Sequence, residues 1–256
     1  MKKIVLASFC IMTLIMITGC NIVQYESEET FTLDATQLEA LSINQDEGDV
    51  TITGVEGIDE VRVTATFAAL SDRDVEHAKE FSENNTFLSL EEEEGIGQLI
   101  TSVKRGTDIE QGFIHLHIEL PPTLPIFYRQ NEGQLKIVSM KSDLKVQHGS
   151  NHLTLIDIDG NVEVTDGAGH VTLENINGTI SINNNAGTTS VTASNGPVRL
   201  IAGSGHIEFE DHVGDVTIRS GSGNINIVGV NGDVEILESR GGNISIEEVT
   251  GTITQP

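Results

Sequence analysis

Tryptophan is absent from this sequence and tyrosine occurs twice, so the aromatic platforms on which glycans and nucleobases commonly stack are scarce. Cysteine is nearly missing as well. Cys10 precedes Cys20, and a chain processed directly before Cys20 keeps one thiol and no internal disulfide. Cations are few, with 14 Lys and Arg against 39 Asp and Glu, a formal charge of −25 that becomes −27 once Lys2 and Lys3 are removed. A body so acidic repels nucleic acid and anionic lipid. Steered partners would be cations or basic surfaces, and the plainest use of the charge is solubility. Glycine, by contrast, is plentiful at 26 residues, and a hydrophobic content of 38% is enough for a core. Many short strands joined by tight turns fit that mixture.

The chain opens as a leader. Met1-Lys2-Lys3 is a positive start, and Ile4 to Ile17 is an apolar run shorter than the roughly 20 residues a spanning helix needs. It ends in Ile17-Thr18-Gly19-Cys20, which resembles the bacterial lipobox. That resemblance implies a signal peptide over residues 1–19 and diacylglycerol on Cys20; an ordinary secretory signal with an incidental Cys is the alternative. Residues 20–29, with Glu26, Glu28 and Glu29, read as an acidic tether holding the body off a membrane.

From Gly133 onward the sequence is built of nine-residue repeats, with starts at Gly133, Ser142, Asn151, Gly160 and so on to Gly232, then one inserted residue before Gly242 and Gly251. Two places after each start stands an aliphatic residue, Thr189 excepted. Four places after stands an apolar residue again, until Gln255. The residue between them is polar throughout, the alternation of a half-buried strand. Two places before the start, alternate repeats differ: one series is mostly aliphatic (Met140, Ile158, Ile176, Val230, Val249), broken at Ser194 and His212. The other is Gly-rich (Gly149, Gly167, Gly203, Gly221).

The structural period is therefore a pair of repeats, about 18 residues per coil, with two strands, an apolar corner and a glycine corner expected to need positive φ. The expected fold is all-β, a parallel β-solenoid over residues 133–256. An antiparallel meander is the competing topology. The calcium-binding solenoid built of nonapeptides needs a Gly-Gly-x-Gly-x-Asp turn, and Ser220-Gly221-Ser222-Gly223-Asn224 lacks the Asp.

Residues 30–132 carry strands without the strict period and read as an irregular β-rich cap. One helix is expected from about Asp72 to Ser82, with Ser71 as N-cap and Asp74 three residues on, close to a capping box. Pro121, Pro122 and Pro125 mark the passage into the regular repeat.

Leu41-Ser42-Ile43, Gly48-Asp49-Val50-Thr51-Ile52, Ile118-Glu119-Leu120-Pro121, Gly214-Asp215-Val216-Thr217-Ile218, Ser222-Gly223-Asn224-Ile225 and Gly232-Asp233-Val234-Glu235-Ile236 together resemble the bacterial putative-adhesin family of β-strand-repeat proteins, which includes lipoproteins. The likeness covers most of the mature chain and is architectural. It implies a surface role and brings no catalytic signature.

Stacking turns equivalent residues of successive coils into neighbours, so His152 and His170 become candidates to share a metal ion, with His206 beyond them. Asp215 and Asp233 pair likewise, either for a divalent cation or as acid and base on a glycoside, and Asp residues at a strand start also serve turns. His115 and His117 form a His-x-His on one strand face. Thr154, Thr172, Ser190, Asn226 and Ser245 read as an uncharged outer ladder, cheap to desolvate and hence the preferred binding face. Lys145, Glu163, Arg199 and Glu235 read as a charged one. No Ser nucleophile motif, phosphate loop or Cys/His pair is present, so neither a reaction nor a cofactor is implied. The expectation is a non-enzymatic, membrane-anchored surface protein with an envelope protein or glycan as partner and no nucleic acid. A glycan-acting β-helix and a weak metal binder are the alternatives.

Overall fold

The computed structural model describes residues 7–8, 22–105 and 111–256. Most of the leader, including Cys20, lies outside that range. The chain divides into two compact units, Met1–Pro121 and Pro122–Pro256.

In the first unit, strands Val23–Asp34, Glu60–Ser71 and Gln111–Leu120 lie side by side and antiparallel, and Val50–Gly54 adds to the last of them in parallel. Ala40–Glu47 runs parallel to Ile96–Val103, which pairs antiparallel with Thr86–Glu93. From Val23 onward the expected tether is thus an ordered strand, because Val23 to Asp34 find a full run of backbone partners on Ser71 to Glu60. The helix is Val75–Asn85, three residues later than its sequence signals suggest. Asp74 itself is the N-cap, its Oδ1 accepting from the His77 amide at 2.9 Å. The helix buries Ala78 and Phe81.

The second unit is a parallel β-solenoid. One ladder holds Leu135–Met140, Leu153–Asp159, Val171–Asn177, Thr189–Thr192, Ile207–Val213, Ile225–Asn231 and Ile244–Val249. The other starts a repeat earlier than expected, with Ile126–Glu132, and continues through Leu144–Ser150 to Ile253–Thr254. Partners stand two repeats apart in the sequence, as in Leu153↔Val171 and Val162↔Ile180. The inserted residue is absorbed as a bulge between Ile218 and Arg219, after which Arg219 faces Glu238 and Ile225 faces Ile244. From Leu135 to Ile236 the residues two and four places after each start are buried, each aliphatic one worth about 1.5–3 kcal/mol of transfer free energy.

The two corners differ from expectation in an instructive way. In the Leu135 ladder the sixth residue after each start is left-handed: Ser139, Asp157, Asn175, Ala193, Asp211, Gly229 and Glu248 have φ of 61°, 58°, 54°, 50°, 54°, 71° and 57°. This turn adds a second outward position in succession, so the next residue, Met140, Ile158, Ile176 or Val230, swings inward and is buried. Short Asp and Asn side chains tolerate the conformation. At the other corner the repeat starts take the expected positive φ, with Gly187, Gly205, Gly223 and Gly242 at 115°, 147°, 137° and 92°, but Gly149, Gly167, Gly203 and Gly221, two places before a start, do not. They are small because the coils touch there: a Cβ on Gly167 would stand 2.5 Å from the Gly149 carbonyl oxygen, and one on Gly221 2.2 Å from that of Gly203.

Candidate functional site

Several turns into strands present an amide that the ladder does not use, and the residue after the preceding coil's repeat start supplies the acceptor. Asp143 Oδ1 takes the Asn161 amide at 2.8 Å, Asp215 Oδ1 the Asp233 amide at 2.9 Å and Asp233 Oδ1 the Thr252 amide at 2.7 Å. In the other ladder His170 Nδ1 accepts from Thr188 N and His206 Nδ1 from Asn224 N, both at 3.2 Å. In the first unit, His115 Nδ1 accepts from Asp49 N at 3.0 Å, while His117 is exposed. Asp215 and Asp233, and most of the histidines singled out from sequence, therefore have one structural task in common: they cap a turn amide of a neighbouring strand.

Stacking does bring His152 and His170 together, with ring centroids 5.0 Å apart and planes inclined at 48°. Yet a neutral imidazole that accepts through Nδ1 carries its proton on Nε2. His170 and His206 thus offer solvent a donor, whereas a metal-bound histidine coordinates through one nitrogen and donates from the other. Among the described residues no group of three His, Cys, Asp or Glu side chains gathers to hold an ion.

The outer ladders are built as read, with one correction. Thr154, Thr172 and Ser190 lie in register, but Glu208 stands between Ser190 and Asn226 before Ser245 closes the row. The supposedly uncharged face therefore carries a carboxylate, and Glu208 and Glu210 line a shallow depression with Ser190, Thr192, Asn226 and Val228. On the opposite face Lys145 pairs with Glu163 at 2.8 Å. Arg199 stands in register with Ser181 and Thr217, so that charged row is interrupted too. Beside the ion pair runs a groove of about 590 Å³, headed by Phe127, a residue 49% exposed.

Sequence reading missed what lies inside. The third inward position of the Leu144 ladder is Gln130, His148, Asp166, Asn184, Ala202 and Ser220, all buried. His148 and Asp166 are wholly inaccessible and meet at 2.7 Å through Nδ1 and Oδ1, while His148 Nε2 lies 2.9 Å from the Gly133 carbonyl oxygen. Both ring nitrogens thus face oxygens, and each contact needs a proton to close it. Asp166 Oδ2 and Asn184 Oδ1 find no protein partner. Asn184 Nδ2 donates to Thr189 Oγ1 at 3.1 Å, which explains why Thr189 alone breaks the aliphatic row. Ser194, the exception at the apolar corner, accepts from the Ile176 amide and donates to the Thr192 carbonyl. The other exception, His212, is fully buried at a ring distance of 6.0 Å from Phe209. Burial lowers its pKa below the ordinary 6.5, and the nearby backbone of Gly196 and Ser194 offsets this only in part. Neither ring nitrogen has a well-formed hydrogen bond.

No family model and no curated protein matches the chain. Among solved structures it is similar to a putative cell adhesion protein of Clostridium sporogenes, at 16% identity and a TM-score of 0.38 over 79% of this chain and 98% of that one. A putative adhesin of Parabacteroides merdae is 12% identical, with a TM-score of 0.41 over 89% and 96%. A putative lipid binding protein of Parabacteroides distasonis is 10% identical, with a TM-score of 0.33 over 89% and 97%. The solenoid is established by the register of this chain's own strands.

Proposed function

We propose that this protein is a non-enzymatic scaffold of the bacterial cell surface, anchored by lipid on Cys20 and presenting the flat faces of its solenoid to an envelope protein or glycan. The observation that carries this reading is how the polar side chains are spent. Asp215, Asp233, His170 and His206 cap turns, Lys145 and Glu163 neutralise each other, and His148 and Asp166 are sealed inside. Catalysis needs a base and an acid or nucleophile converging on one reacting atom. Here the reactive groups are strung along rows at strand spacing instead. The order of positive start, apolar run and Cys20 supports export and anchoring.

Fractionation of cells making the chain, with and without Cys20→Ser, tests the anchor. The native protein is expected in the membrane fraction, extracted by detergent and digestible by protease added to cells stripped of any outer membrane. The Cys20→Ser chain is expected to lose the lipid. Recovery of both from the cytosol would end the proposal.

A further inference from the structure

We infer that the groove headed by Phe127 is a binding site for a neutral oligosaccharide. It runs along the outside of the Leu144 ladder, between a row of turn residues that includes Asp143 and Asn161 and the outward row Phe127, Lys145, Glu163, Ser181. A sugar ring has an apolar C–H face and a rim of hydroxyls that both donate and accept. The groove supplies a counterpart for each. Phe127 stands half out of the surface in a chain with no tryptophan, an exposure that burial alone does not reward. Lys145 donates; Glu163 accepts; Ser181 does both. Asp143 caps the Asn161 turn through Oδ1 alone and leaves Oδ2 as an acceptor. The volume of about 590 Å³ suits a small ligand.

Other occupants fit less well. An anionic polymer meets Asp143 and Glu163 against Lys145, on a protein of charge −25. An extended peptide would seek an unpaired strand edge, but Leu144 to His148 are hydrogen-bonded on both sides, to Ile126–Gln130 and to Val162–Asp166. The row's repeat, one side chain per coil at about 4.8 Å, sets the polar groups of Lys145, Glu163 and Ser181 in succession beyond the ring of Phe127, along the line a chain of sugars would take.

The inference deepens the surface reading, which supplies the setting where glycans are met, but the binding itself belongs to the purified chain. Cellotetraose, chitotetraose and maltotetraose serve as neutral probes and tetragalacturonate as the anionic one, each titrated to millimolar concentration by calorimetry and by amide NMR. At least one neutral probe is expected to bind and to shift amides around Phe127 and Lys145. Phe127→Ala should weaken it about tenfold, the worth of one stacking contact, with the thermal midpoint unchanged, and Phe127→Tyr should restore it. Binding of no neutral probe, binding of tetragalacturonate alone, or equal affinity in Phe127→Ala would overturn the assignment. Should that happen while Cys20→Ser still releases the protein from membranes, the groove is wrong and the surface reading stands.

Discussion

Asp166 holds a fully buried histidine in place, and removing it strands a polar ring in an aliphatic core. Loss of one partner from a buried hydrogen-bonded pair leaves the other unsatisfied at a cost of about 1–3 kcal/mol, whereas replacing both by apolar residues can be nearly neutral. Asp166→Ala should therefore lower stability in urea by about that amount, and His148→Leu with Asp166→Leu should recover most of it. If Asp166→Ala proves harmless, the pair has been misread.

His212 works in the opposite direction. Its folded-state pKa lies below 6.5, so as pH falls below about 6.5 the unfolded chain takes up a proton that the folded chain refuses. That contribution to stability is complete above the unfolded value and is lost as pH falls toward the folded one. The native chain should lose more stability between pH 7.5 and 5.5 than His212→Leu does, measured as the shift in urea midpoint. Equal shifts in the two proteins would remove His212 from the account.

At the scale of the element, the two corners make contrasting demands. Gly167 lies against the Gly149 carbonyl, so Gly167→Ala forces backbone apart and should cost about 1–3 kcal/mol. Asn175 is left-handed with φ of 54°, so Asn175→Gly meets no such clash and should cost less. Thermal unfolding of the two variants orders them. The reverse order would mean that close approach is not what keeps position 167 a glycine.

The same elements show how far sequence could be read. Strand positions follow from alternation, since one slipped residue would expose every aliphatic side chain, and the two-repeat period follows from the differing corners; the pairing of Leu153 with Val171 decides against the meander. Corner geometry did not follow, because glycine answers both to positive φ and to close approach, and composition does not separate the two. The helix shifted by three residues because Ser71 and Asp74 are both plausible caps and only tertiary packing selects one. Thr189, Ser194 and His212 were visible as exceptions to the pattern. The cause of the first, a polar thread inside the core that reaches Thr189 through Asn184, was not visible, though the non-aliphatic run Gln130, His148, Asp166, Asn184 was its signal. Among candidate sites, the pairing of His152 with His170 was legible from the period. The turn-capping bonds that occupy His170, Asp215 and Asp233 were not, because they depend on side-chain direction.

For the whole molecule, everything turns on two strands per coil. The faces, the groove row and the buried thread exist only if equivalent residues of successive coils are neighbours. Thr154 and Ser245 are separated by five coils through Thr172, Ser190, Glu208 and Asn226. At about 4.8 Å per step they should lie roughly 24 Å apart. In a meander of nine-residue strands they would be ten strands, or about 48 Å, apart. The direct measurement is the electron-spin distance between labels on Thr154→Cys and Ser245→Cys, in a chain with Cys10 and Cys20 replaced by Ser. A distribution centred at roughly 24 Å is predicted, and one centred at roughly 48 Å would contradict the solenoid and every face assigned on it.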